Sequence, residues 1–148
     1  MLYVTHDQLE AMTLADRIGI LSHGRLVQIA DPRTVYEAPA TVTAAMRLGS
    51  PAINLVSPGA LGLTGAPAGA TRAGVRPEDV RLGTGGVMGE IINVEHLGAE
   101  TVALVRTADV TLHALLTADR PVAEGAATTV AVRPGAPIWF DSAERRIA

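Results

Sequence analysis

Cysteine is absent from the 148 residues, which excludes a disulfide framework and a thiolate metal site and is compatible with a reducing compartment. Aromatic residues are scarce: one Phe, one Trp and two Tyr. Val, Leu, Ile and Ala must therefore fill the core, and the β-branched ones among them suit strands. No apolar run approaches the roughly 20 residues that a bilayer-crossing helix needs, and Met1–His6 lacks the charged and apolar regions of a signal peptide. The chain is expected to be cytoplasmic and to meet a membrane only through a partner. A basic stripe is missing too: the net charge is −3 with acids and bases intermixed, which removes the electrostatic footprint of nucleic-acid binding. His6, His23, His96 and His113 show no zinc-ligand spacing, so no metal is expected.

What is present suffices for a real core, since a chain of this length buries roughly 68–70% of its unfolded surface. The apolar run Leu2-Tyr3-Val4-Thr5 reads as a short strand that looks cut, with nothing before it. A helix start follows, with Thr5 and Gln8, or Asp7 and Glu10, at capping-box spacing; Leu9, Met12 and Ile18 mark its apolar side, and it should stop near Asp16. Ile18–Leu21 and Leu26–Ile29 then read as a β-hairpin around Ser22–Arg25. Asp31-Pro32 predicts a short helix through Glu37, because the carboxylate can cap and the proline tolerates the first helical position. A second helix is expected over Thr41–Leu48, closed by Gly49-Ser50-Pro51, and a domain boundary falls there.

Beyond that point short alternating runs are divided by Gly and Pro, the pattern of a small β barrel or sandwich. Val110, Leu112, Ala114 and Leu116 face one way, with Thr111 and His113 the other. Glu90–His96 and Thr101–Arg106 form a hairpin around Gly98, while Val130–Arg133 and Ile138–Asp141 are expected as the closing pair. Gly59–Gly74 is either a loose loop or a minimal strand pair. Val-Arg-Pro occurs at Val75–Pro77 and at Val132–Pro134, which means either that proline ends two edges or that the β region has two related halves.

The run Tyr3-Val4-Thr5-His6-Asp7-Gln8-Leu9-Glu10, continuing to Ile18, resembles the switch-histidine segment of ABC transporter ATP-binding subunits, especially the maltose-importer type. The resemblance continues through Gly24-Arg25, through Pro32 to Tyr36 and Pro39, and through Gly49-Ser50-Pro51-Ala52-Ile53-Asn54. Gly74-Val75-Arg76-Pro77-Glu78 then looks like the "G-[IV]-R-P-E" signature of the transport-associated OB domain, and Gly89–Thr101 like its next hairpin. Leu55–Arg72 is shorter than is usual in the family.

The resemblance implies a mainly β chain: a small OB-type barrel over residues 50–148, preceded at 1–49 by an α/β part of an ATPase domain. It implies that His6 is the switch histidine, the one catalytic position present. The phosphate loop G-x-x-x-x-G-K-[ST], the ABC signature and the acidic magnesium-side strand belong before residue 1 in the family and are not in this sequence. His6 is therefore expected to be idle, since phosphoryl transfer needs a phosphate cradle, a lysine and Mg²⁺ ligands to position anything. ATP and magnesium are cofactors of the intact family; none is expected here, and this chain alone is not expected to be an enzyme. Gly49, Ser50, Pro51, Asn54, Arg76, Pro77 and Glu78 are the expected regulatory or dimer motif.

The implied partners are a second copy of the chain and ABC permease subunits, with the assembled protein peripheral to the inner membrane. The apolar residues of the first segment and helix are expected to be left exposed, and either self-association or rearrangement of residues 1–48 is expected to hide them. The alternative function is an OB-type module that binds a small oxyanion or sugar, with Arg76, Arg106 and Arg133 as donors. A third possibility, single-stranded nucleic acid binding through the OB fold, is disfavoured, because stacking platforms need aromatics on a basic groove and only Trp139 and Phe140 lie in the barrel. His23 reads as a solvated turn residue, His96 and His113 as strand residues, and Glu78-Asp79 as a capped turn. Trp139 and Phe140 should face opposite sides, one in the core and the other available to an interface.

Overall fold

The computed structural model describes residues 1–148. Asp7 caps helix α1 (Gln8–Leu14) by accepting the Glu10 N–H at 3.0 Å. Thr5 braces that cap from outside: its Oγ1 accepts the Asp7 N–H and donates to Glu10 Oε2, each at 2.9 Å. α1 buries no residue fully, with Ala11 and Met12 leaning on the neighbouring core and Leu9 and Leu14 in solvent. Leu2–Thr5 does not form the expected strand, and Leu2, Tyr3 and Val4 are exposed. No strand lies beside this run to complete its ladder of hydrogen bonds.

The hairpin forms as the sequence requires: β1 (Ile18–Ser22) pairs antiparallel with β2 (Arg25–Ala30). His23 and Gly24 make the turn at φ 48° and 73°, the left-handed pair that a two-residue hairpin loop needs. Helix α2 (Pro32–Glu37) starts where Asp31 accepts the Thr34 N–H at 2.9 Å. Helix α3 (Val42–Arg47) starts where Thr41 accepts the Ala44 N–H at 3.1 Å. Ile18 and Ile20 of the hairpin meet Val35, Ala44 and Leu48 in one small core.

The β region then runs through β3 (Asn54–Val56), β4 (Arg72–Val75), β5 (Val80–His96), β6 (Glu100–Thr107), β7 (Thr111–Thr117), β8 (Ala127–Val132), β9 (Ile138–Phe140) and β10 (Arg146–Ile147). Two four-stranded antiparallel sheets result, in the orders β10-β9-β4-β3 and β7-β6-β5-β8. The fold is mainly β with an α/β portion in front, as expected. Gly59–Gly74 divides into a short 3-10 turn at Ala60–Gly62, an irregular stretch and the start of β4.

One pairing expectation fails. Val130–Arg133 and Ile138–Asp141 do not pair with each other, since β8 lies against β5 and β9 against β4. The cause is the length of β5: Glu90–His96 is only the second half of a strand of 17 residues. Its first half offers β8 a far longer ladder than the three residues of β9 could. The strand reaches that length by a bulge at Gly83–Gly86, on both sides of which it pairs with Val130. Gly86 sits at φ 95°, and a Cβ there would strike the Val130 carbonyl, so only glycine fits.

The main core lies between the two sheets and includes Val75, Leu82, Ile91, Val105, Leu112 and Val130. Leu112, Ala114 and Leu116 point into it, Val110 leans on it and Thr111 is exposed, matching the expected alternation. A third cluster of Val42, Ala45, Ile53 and Phe140 joins α3 to the β region. Phe140 and Trp139 do face opposite sides: Phe140 is fully buried in that cluster, and Trp139 packs on the main core.

Candidate functional site

Arginine is rarely buried unless its charge is compensated. Arg76, between β4 and the 3-10 turn Pro77–Asp79, is only 4% exposed. Its Nη1 donates to the carbonyls of Ala45 at 3.1 Å and Leu48 at 2.6 Å, and its Nη2 to the carbonyl of Tyr36 at 2.8 Å. Ala45 and Leu48 end α3 and Tyr36 lies near the end of α2, so the guanidinium takes up carbonyls that helix termini leave unpaired, on the side where the helix dipole favours a cation. The guanidinium carbon lies 3.9 Å from the centroid of the Tyr36 ring. The phenol closes the arrangement by donating to Glu78 Oε1 at 2.5 Å. One clamp thus joins α2, α3 and the turn after β4.

Electrostatics follow from this burial. Desolvation pushes the Arg76 guanidinium below its ordinary value, against the opposing influence of Tyr36, Glu78 and Asp79. The Tyr36 phenol is pushed up, first by burial and then by its hydrogen bond to Glu78. Arg76 Nε is buried with no partner.

Gly49 fits beneath the clamp. It holds φ 107°, and a Cβ there would lie 3.2 Å from Arg76 Nη1 and 3.4 Å from Tyr36 Cε2. Its N–H donates to Gln8 Oε1 of α1 at 2.9 Å. Pro77 is fully buried in the turn. Of the expected motif the structure therefore brings together Gly49, Arg76, Pro77 and Glu78. Ser50 is exposed and Pro51 half-buried, while Asn54 works elsewhere, between β4 and β7. Tyr36 and Gln8 are the members that sequence reasoning missed. Tyr36 stood in the quoted pattern, but nothing local shows that its ring would meet an arginine forty residues later.

His6 is exposed and makes no hydrogen bond to another residue. His23 is a turn residue, and the His96 ring shares a 3.1 Å hydrogen bond with Thr101 Oγ1. The three arginines expected as anion donors are all engaged. Arg76 is in the clamp, Arg106 pairs with Glu90 at 2.9 Å, and Arg133 pairs with Asp79 at 2.6 Å. Val132 of the second Val-Arg-Pro run pairs with Val80, three residues past the first run, yet Arg76 is buried on carbonyls and Arg133 is half-exposed on a carboxylate.

Known proteins carry related sequences. Residues 73–140 match the TOBE domain, an OB-type fold that agrees with the β unit described above. Over 93% of the chain, 36% of residues are identical to those of an uncharacterized ABC transporter ATP-binding protein of Sinorhizobium fredii, of which the match covers 40%. An sn-glycerol-3-phosphate import ATP-binding protein of Rhizobium meliloti is 39% identical over 98% of the chain and 46% of its own length. One from Rhizobium johnstonii is 48% identical over 57% of the chain and 25% of its own length. The chain thus spans less than half the length of these relatives.

Proposed function

Because residues 73–140 match the TOBE domain and nearly the whole chain aligns with part of ABC transporter ATP-binding proteins, we propose that it serves as the C-terminal regulatory and dimerisation part of such a subunit in a solute importer. Residues 1–49 are the proposed portion of the nucleotide-binding domain and residues 50–148 the proposed regulatory domain. The observation that carries this reading is the clamp: Arg76 and Glu78 of the TOBE side grip the ends of α2 and α3. A clamp of that kind lets the β unit and the helical segment act on each other mechanically. The proposed solute class is a sugar or a phosphorylated polyol, in line with the names of the relatives. The proposed partners are permease subunits and a second copy of the chain, with the assembly on the cytoplasmic face of the membrane. No helix here is long and apolar enough to cross a bilayer.

These 148 residues by themselves are not proposed to hydrolyse ATP. All twelve basic residues are arginine, so the chain supplies no lysine to a nucleotide phosphate, and His6 stands in solvent without a phosphate cradle around it. Isothermal titration with ATP and Mg²⁺ should show no saturable binding, and phosphate release should stay at background. Micromolar binding by the purified chain would overturn this reading. Self-association is supported by the exposed Leu9, Leu14, Leu21, Leu26 and Ile29. Light scattering should show dimers or larger species, and a clean monomer at high concentration would count against it.

A second reading is a small-anion or sugar site, held not by Arg76, Arg106 and Arg133, which are engaged elsewhere, but by a surface groove. A groove of about 550 Å³ between the hairpin tip and the β9–β10 turn is lined by polar groups, among them Ser22, His23, Arg25, Thr43 and Glu144. Thermal-shift measurements with molybdate, tungstate and simple sugars discriminate the two readings. A ligand-dependent rise that Arg25→Ala abolishes would select the groove.

A further inference from the structure

Helix α1 holds on to the rest of the chain weakly. It has seven residues, none fully buried, and its ends rest on local bonds among Thr5, Asp7 and Glu10. One hydrogen bond joins residues 1–15 to the rest of the chain: the Gly49 N–H donating to Gln8 Oε1 at 2.9 Å. Gly49 is itself fixed by the clamp, because Arg76 Nη1 holds the carbonyl of the preceding Leu48 at 2.6 Å and lies directly over the glycine. Arg76 in turn is positioned by the Tyr36 ring, whose hydroxyl is held by Glu78. Contacts therefore run without a gap from the TOBE turn at Glu78, through Tyr36 and Arg76, to Gly49 and Gln8. Gln8 stands two residues after His6.

We propose that Gln8 is a positioning residue that tethers the His6 segment to the Arg76 clamp, so that the order of residues 6–14 follows the state of the TOBE turn. Its meaning for ATP chemistry rests on the reading of His6 given above; the tether itself does not. Two features of the chemistry suit this role. A glutamine carbonyl on a flexible stem can follow small shifts of the junction while keeping its acceptor in place. A short helix with little buried surface is also the kind of element whose order one added tie can set. A double-mutant cycle separates coupling from mere adjacency.

The test is amide hydrogen exchange on the full 148-residue chain, with the amides of β5 and β6 as the internal reference for an intact fold. Gln8→Ala should speed exchange at Gly49 and through α1 about fivefold, the factor given by one hydrogen bond of about 1 kcal/mol. Alanine is the better helix former, so a purely local effect would have the opposite sign in α1. Gln8→Glu keeps the acceptor and should restore wild-type rates. Arg76→Lys keeps the charge but cannot reach the three carbonyls and stack on Tyr36, so α1 should loosen by a similar factor. The double variant should then be no faster than the faster single. Unchanged α1 rates in Gln8→Ala, failure of Gln8→Glu to restore them, α1 indifferent to Arg76→Lys, or factors that multiply to about twenty-five in the double variant would each overturn the tether. If Arg76→Lys also loosens β5 and β6, Tyr36→Phe takes its place, since it removes only the hydroxyl held by Glu78, and the same outcomes decide. No nucleotide enters the experiment, so its result stands apart from the ATP-binding measurement.

Discussion

Asn54 and His113 bond in both directions: Asn54 Nδ2 donates to the His113 carbonyl at 2.9 Å, and Asn54 Oδ1 accepts the His113 N–H at 2.8 Å. The same Nδ2 also donates to the carbonyl of Val75 at 3.1 Å. A side-chain amide thus does for the edge strand β7 what a neighbouring strand would do, and it fastens one sheet to the other. Asn54 is 8% exposed, so water cannot replace these bonds easily.

Replacing Asn54 should therefore cost more than a typical polar substitution. Asn54→Leu leaves three backbone groups without partners, each worth about 1–3 kcal/mol when buried, and the expected loss is about 3 kcal/mol or more. Asn54→Asp keeps the acceptor but sets a carboxylate against two carbonyls, and should also destabilise at neutral pH. Urea denaturation gives both values, and a midpoint equal to wild type for either variant would contradict the bridge.

Arg76 should stand apart from the other arginines in stability. Arg76→Met leaves the carbonyls of Tyr36, Ala45 and Leu48 unpaired, with an expected cost of about 3 kcal/mol or more, at about 1–3 kcal/mol for each buried acceptor. Arg106→Met and Arg33→Met remove only exposed pairs with Glu90 and Glu37, and each should cost no more than about 1 kcal/mol. Calorimetry on the three variants checks the ranking.

Alkaline stability should depend on Tyr36. Its phenol is raised above the ordinary value of 10.0, first by burial and then by its hydrogen bond to Glu78. A group whose folded value lies above its unfolded value stabilises fully below the unfolded value, and that contribution fades as pH rises past it. The loss should therefore begin above about pH 10. Tyr36→Phe should flatten the alkaline limb of the stability curve and remove the late step in tyrosinate absorbance.

The acid limb belongs to Asp31 and Asp141. Asp31 is lowered by its side-chain and backbone bonds to Thr34, and Asp141 first by the Arg145 N–H, then by the Ala143 N–H and the Arg145 charge. Here the sign is reversed: the stabilisation is present above the ordinary value of 3.8 and is lost as pH falls through the depressed folded value. Asp31→Asn and Asp141→Asn should each make acid unfolding less steep, as followed by circular dichroism.

Much of this was legible in the residues, and the boundary is physical. Asp31-Pro32, Thr41, His23-Gly24 and Gly98 act within a few residues of themselves, and the helices and hairpins they imply are present. What escaped depends on distant segments. β8 chooses β5 over β9 because a bulge at Gly83–Gly86 lets one strand serve two neighbours, and no local pattern announces that choice. Leu2–Val4 has strand-forming residues but no neighbour. In the site, Arg76, Pro77 and Glu78 stood out as a motif, but a surface-preferring residue gives no local sign that it will be buried on Tyr36.

The end of the polypeptide returns to its first half. The Arg146 N–H donates to the Ala40 carbonyl at 2.9 Å, and the Val42 N–H donates to the Glu144 carbonyl at 3.0 Å. The last few residues therefore stitch the entry of α3 to the sheet of β9 and β10. Loss of these bonds would fray that seam and leave the helices held to the β unit by the Arg76 clamp and the apolar cluster around Phe140. Residues 144–146 are thus a second latch between the helices and the β unit.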